Sequence, residues 1–297
     1  MDYVRTFTRE FDIGEPVELV VENRAGTVSV RGEETKRARI EVVAHLWAET
    51  DDEADDQAEL VSRGIKQEGK RILVRAPALL QPHPFLFFAR SPRIDYAITL
   101  PRRCEANVTS RSGRVEVESI AGPLEVNARS GRVGAREIGG DTRLISRSGS
   151  VQAEAIGGSL LAESRSGSVR VSQCRGDARV QARSGSVQAE EIGGKLEVQT
   201  RSGSTGIVDV GGELRVSAMS GSVRYEGAVR GSFDIDVMSG SAKLALDADS
   251  VFFLDAESTN GSVRSDLPVR NTSSGPPKDA PTVRIRARSG SIVLATR

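Results

Sequence analysis

The chain has 297 residues, with 41 Lys+Arg against 41 Asp+Glu and a formal net charge of zero. Apolar residues make up 38% and aromatic residues 4%, beside 30 glycines, so a core built from large rings is excluded. Balanced charge argues against a disordered chain and against a general attraction to polyanions.

No apolar stretch approaches the ~18 residues of a membrane span. Met1-Asp2-Tyr3-Val4-Arg5 lacks the basic start and apolar run of a secretory signal. The expected location is therefore the cytoplasm, and the cell surface would require a non-standard route. Cys104 and Cys174 are too few for a disulfide framework and fit a reducing compartment.

In chain order, residues 17–21 and 39–43 alternate and are rich in β-branched side chains, which predicts strands. Between them, Asn23-Arg24-Ala25-Gly26-Thr27-Val28-Ser29-Val30 reads as a degraded Arg-Ser-Gly-x-Val coil. Residues 50–61 read as a helix start, with Thr50 or Asp51 as the cap and acid in the first turn to suit the helix dipole. Residues 71–75 and 94–100 return to strand, the second ending at Pro101. The Pro-bounded stretch 79–88 carries Phe85, Leu86, Phe87 and Phe88. Two uses stay open for it: an exposed anchor for a partner or membrane surface, or a plug over the solenoid's open end. Residues 1–105 are thus expected to form an irregular, β-rich N-terminal part of a solenoid, with a helical insertion and this hydrophobic loop.

From residue 106 to 297 the chain is organised by an internal repeat, the first signal to seek in any sequence. Ser-Gly recurs with its glycine at Gly113, Gly131, Gly149, Gly167, Gly185, Gly203 and Gly221, always 18 residues apart; Gly240, Gly261 and Gly290 follow at wider steps. A second glycine series, from Gly122 to Gly231, lies halfway between. Each unit is therefore two halves of nine residues, and within each half the apolar positions have the period of a strand. Stepping by 18 gives columns: Val115, Val133, Val151, Val169, Val187, Thr205, Val223, and Ile120, Ile138, Ile156, Cys174, Ile192, Val210. A loop at 268–281 interrupts the coils before Arg288-Ser289-Gly290-Ser291-Ile292-Val293-Leu294 resumes them as an uncapped final coil.

The predicted fold class is all-β, a single-stranded parallel β-solenoid with 18-residue coils. Two strands per coil face each other across a narrow interior, and coils stack ~4.8 Å apart. The handedness of parallel crossovers favours a right-handed β-helix.

Chemistry is sparse. The chain holds His45 and His83, and its serines recur at the same corner of each coil rather than singly, so no nucleophile, base and orienting group come together. Gly139-Gly140-Asp141-Thr142-Arg143 lacks the second glycine and following aspartate of a calcium β-roll. No zinc spacing and no cofactor motif are present, and Cys174 replaces isoleucine in its column as a small buried hydrophobe. The candidate surface is a column of arginines: Arg111, Arg129, Arg147, Arg165, Arg183 and Arg201. Stacked ~4.8 Å apart, they would form a cationic ridge ~24 Å long, suited to phosphate or carboxylate polymers. Against this, neighbouring columns alternate in sign, and their charges can partner one another and the ridge.

The Arg24-Ala25-Gly26-Thr27-Val28 opening, the Tyr96-Ala97-Ile98-Thr99-Leu100-Pro101 strand, and the Ser-Gly-x-Val and Ile-Gly-Gly-x-Leu coils resemble the DUF4097 family of adhesin-type β-strand repeat proteins. The resemblance covers nearly the whole chain. It implies a non-enzymatic β-solenoid, placed among bacterial surface adhesins and found beside envelope-stress and regulatory proteins. The expected function is that of a rigid scaffold or adhesin-like module presenting a repetitive charged surface to a protein partner. Self-association would run end to end through the Ser289 to Leu294 coil. The alternative is binding of an anionic polysaccharide or nucleic acid through the arginine ladder. An outside alternative, a polysaccharide-active enzyme, would need converging acids, where the sequence offers solitary Asp234, Asp236 and Asp247. No small-molecule substrate is expected.

Overall fold

The computed structural model describes residues 1–76, 92–267 and 280–297. Phe85, Leu86, Phe87 and Phe88, and most of the 268–281 loop, lie outside them. Two compact units divide the chain, Met1–Ser148 and Gly149–Arg297. Both are solenoidal and parallel in their repeats, as the 18-residue step predicts. Among the described residues no helix is long and apolar enough to cross a membrane.

In the second unit each coil gives one strand to each of two parallel ladders. Val151 pairs with Val169 and Val169 with Val187, so residues 18 apart sit directly over one another. Thr205 and Val223 extend this column, and all five are at most 1% exposed. The facing ladder stacks Leu160, Ala178, Leu196, Leu214 and Phe233 in the same way. The interior is thus made of Val, Ile, Leu and Ala columns, which explains how so few rings suffice. Two long strands, Leu214–Gly227 and Phe233–Leu246, run through the corner and belong to both ladders.

Glycine is required at the Ser-Gly corners for two reasons. Gly167, Gly185 and Gly203 have φ of +144°, +129° and +134°, a region that L side chains rarely adopt. A Cβ on Gly185 would also strike the carbonyl oxygen of Gly167 on the adjoining coil. The opposite corner uses positive φ without glycine: Ala155, Gln173, Glu191 and Asp209 lie at φ 55°, 57°, 56° and 50°. This left-handed residue slips the in–out alternation by one, which turns Ile156, Cys174, Ile192 and Val210 inward.

Spatial order departs from chain order at the end of this unit. Thr282–Ser289 and Ile292–Thr296 pair on one side with Phe233–Leu246. On the other side they pair with Phe253–Asn260 and Val263–Ser265. The coil containing Ser289 and Leu294, expected to end the stack with an open edge, is therefore an inner rung. The outermost rung is the 253–265 coil, because the chain passes outward and then returns to fill the place between.

The first unit shows the same exchange. The coil of Val17–Ala25 and Val28–Glu33 lies beside that of Cys104–Ser112 and Val115–Glu118. Arg71–Arg75 and Arg93–Pro101 pair on its far side. Beyond them the lead-in stops being parallel: Arg37–Trp47 pairs antiparallel with both Arg93–Pro101 and Asp2–Asp12. Ile65–Glu68 turns back antiparallel on Arg71–Arg75. The predicted helix forms at Asp51–Arg63, capped by Thr50, whose hydroxyl accepts from the Glu53 N–H at 3.2 Å. It buries Ala54, Ala58 and Val61, with Ala58 against Ala44 and Leu46 of the sheet.

Candidate functional site: the arginine corners

The residue preceding each Ser-Gly corner points outward at the end of its strand. In the first unit Ala128 and Ser130 register with Ser110 and Ser112, and with Ser146 and Ser148 on the other side. Arg111, Arg129 and Arg147 are therefore stacked. Arg24 joins them, because Asn23 and Ala25 register with Ser110 and Ser112. In the second unit the same reasoning stacks Arg165, Arg183 and Arg201. There the column continues through Met219, Met238 and Arg288. All ten side chains are exposed.

Sequence reasoning missed Arg24, Met219, Met238 and Arg288. The signal was present: each stands immediately before the Ser-Gly or Ala-Gly of a corner, Met219 on the 18-residue step but not an arginine, and Arg24, Met238 and Arg288 outside that step.

Charge pairing separates this column from its neighbours. Arg143 meets Glu125 at 3.7 Å, Arg179 meets Glu197 at 3.6 Å, and Arg215 meets Asp234 at 3.8 Å, each across adjoining strands. The alternating columns therefore satisfy one another. Among the described residues none of the eight ladder arginines, Arg24 and Arg288 included, has a hydrogen-bond or ion-pair partner for its guanidinium. The outward residues next to the ladder include Thr109, Asn127 and Ile145 in the first unit and Gln181 and Gln199 in the second, with Glu22 beside Arg24 and Glu163 beside Arg165 as the acids. Like charges on rungs ~4.8 Å apart lie well inside the ~8 Å Debye length of physiological salt. They repel, modestly in water, and an anion laid along them relieves that repulsion.

Other chemistry is muted. Burial pushes the Cys174 thiol up to about 11 and the Cys104 thiol up to about 12, which keeps both protonated at neutral pH. His45 Nε2 lies 3.4 Å from Asp95. Burial of Asp95 opposes its ionisation, but the Thr27 N–H and the Arg93 guanidinium together hold its carboxyl below the usual range. This carboxylate fastens the Gly26 corner rather than facing a cleft. Among the described residues, no three His, Cys, Asp or Glu side chains gather as a metal site. An open cleft of about 700 Å³ in the first unit is lined by Glu18, Arg71, Arg103 and Glu105 among others, with Glu18 and Arg71 bound to each other at 3.0 Å.

The family comparison bears on the second unit. Residues 158–294 match the family model Toastrack DUF4097. The Toastrack stretch contains Arg165, Arg183, Arg201, Met219, Met238 and Arg288, whereas Arg24, Arg111, Arg129 and Arg147 precede it. Two solved structures are similar to the chain at low identity. One is a putative cell adhesion protein from Clostridium sporogenes ATCC 15579, 13% identical, covering 99% of this chain and 100% of that one, with a TM-score of 0.32. The other is a putative adhesin from Bacteroides fragilis NCTC 9343, 13% identical, covering 99% and 97%, with a TM-score of 0.34. Among curated proteins none matches the chain.

Proposed function

We propose that the protein is a non-enzymatic interaction module whose arginine corners bind an anionic polymer. The observation that carries this reading is the contrast between columns. Charges beside the ladder are paired across the sheet, while among the described residues the ladder guanidiniums have no hydrogen-bond or ion-pair partner. A solvated column kept only for solubility has no need to be single-signed. Rigid spacing every ~4.8 Å suits a linear ligand with regularly placed phosphates or carboxylates. No aromatic side chain interleaves the arginines, which favours an anionic polysaccharide or polyphosphate over a single-stranded nucleic acid, where base stacking contributes strongly. Serines repeated at every corner, and thiols held protonated by burial, support the non-enzymatic part of the reading.

The test is titration of the protein into labelled polyphosphate and polygalacturonate at several salt concentrations. Affinity should fall steeply with salt, and Arg183→Ser with Arg201→Ser should flatten the log–log slope by roughly one to two. Absence of binding at about 50 mM salt, or a slope untouched by these substitutions, would overturn the reading.

A further inference from the structure

The outermost rung of the second unit differs from every rung inside it. Among the described residues, Phe253–Asn260 pairs only with Thr282–Ser289, and Val263–Ser265 only with Ile292–Thr296. Their other sides carry a row of backbone N–H and C=O groups without a strand. No residue of either strand is fully buried. Val251, Phe253 and Val263 are 72%, 37% and 43% exposed. Leu254, Ala256 and Ser258 continue the inward columns of Val283, Ile285 and Ala287, with no layer beyond them among the described residues.

Exposed edges are normally blunted, and the first unit shows how. Its outermost strand, Asp2–Asp12, is charged along its length and tied to the helix by Arg5, which reaches Asp51 and Asp55 at 2.6 Å each. Its other edge, Ile65–Glu68, is only four residues long. In the 253–265 rung Val263–Ser265 is likewise short, at three residues, but Phe253–Asn260 is eight residues long and no helix is tied to it among the described residues.

The rung that does pair with this edge defines what it accepts. Thr282–Ser289 alternates Val283, Ile285 and Ala287 inward with Arg284, Arg286 and Arg288 outward. Its arginines stand beside Asp255, Glu257 and Thr259. Arg284 Nε donates to Asp255 Oδ2 at 3.1 Å, while Glu257 has no partner among the described residues. A strand added on the free side stands over the same face, so the same alternation is favoured there. We propose that the 253–265 edge is a strand-addition site for an extended segment of a partner protein that alternates basic and apolar residues. The apolar set would close the open inner layer over Leu254 and Ala256, and the basic set would meet Asp255 and Glu257. Main-chain hydrogen bonds would supply affinity and the alternation specificity. A second copy of this chain fits poorly: two-fold antiparallel pairing about Ala256 sets Asp255 against Glu257, and like charges opposite one another destabilise.

The probe is a labelled, terminally blocked peptide of sequence TVRIRARS, followed by anisotropy and by hydrogen exchange of the full chain. The peptide should bind and protect amides within 253–265. Glu257→Lys, an exposed position, should weaken binding by up to about five-fold without moving the melting temperature. A peptide with glutamates for arginines should not bind. A peptide with proline at its fourth position should lose about ten-fold, because proline donates no ladder hydrogen bond. The proposal is overturned by no binding at about 1 mM peptide, by equal binding of the proline peptide, or by a Glu257→Lys variant as tight as the parent. It is equally overturned if the 253–260 amides are already protected in the free protein, whether by another segment or, with concentration-dependent sedimentation, by a second copy.

Discussion

Met219 stands directly beside Met238, because Ala218 and Ser220 register with Val237 and Ser239 on adjoining parallel strands. The two thioethers, 42% and 44% exposed, occupy the column otherwise filled by Arg165, Arg183, Arg201 and Arg288. They divide a cationic line into three arginines and one. Met219→Arg with Met238→Arg should join six guanidiniums into one uninterrupted line. Binding of polyphosphate should tighten at low salt, and the salt slope should steepen by roughly one to two. An unchanged slope would mean that the polymer does not run along this column.

Gly185 tests the corner. Alanine there must hold φ near +129° and place its Cβ against the Gly167 carbonyl. Gly185→Ala should cost roughly 2–4 kcal/mol, read as a lowered urea midpoint at unchanged slope. Ala155→Gly at the opposite corner should do the reverse. Relief of a left-handed alanine at φ 55° outweighs the added chain entropy, for a gain of up to about 1 kcal/mol.

Thr205 breaks the valine column with a hydroxyl that is buried and has no hydrogen-bond partner among the described residues. Thr205→Val restores the column shape and removes the unsatisfied group. A gain of about 1 kcal/mol in unfolding free energy is expected. A loss would show that the hydroxyl is satisfied in solution.

Cys174 links stability to alkaline pH. Burial raises its thiol from 9.0 to about 11 in the folded protein. Below pH 9 both folded and unfolded chains keep the proton. Between there and about 11 the unfolded chain releases it while the folded one does not, so stability falls as pH rises. Cys174→Val should lessen the drop in urea midpoint between about pH 8 and about pH 10.5. Cys104, raised to about 12, contributes in the same direction and remains in the variant.

The repeating half was legible because its physics is local and periodic. Val151 over Val169 follows from an 18-residue step alone, and the glycine corners announce themselves by residue type. The spacing of Val151, Ala153 and Ile156 already carries the phase slip, yet the left-handed residue behind it was hidden. Ala155, Gln173, Glu191 and Asp209 share no side-chain chemistry, and the surrounding coil imposes their conformation. The ladder arginines were visible, but not that they would remain unpaired, since alternating columns offered partners that the sheet gives to other charges. Spatial order at the ends was illegible for a different reason. One parallel coil accepts another by column match, and Arg284-Ile285-Arg286 matches Asp234-Ile235-Asp236 as readily as it matches Asp255-Ala256-Glu257.

That exchange of rungs changes how each unit comes apart. A stack of identical neighbours ordinarily unzips from its tip, one interface at a time. Tension applied at Arg297 instead falls on Thr282–Ser289 and Ile292–Thr296, which are sandwiched, so release requires two interfaces to rupture together. The Val17–Glu33 coil is held between neighbours in the same manner. Each unit is clasped by its own strand order, a mechanical lock built from backbone pairing.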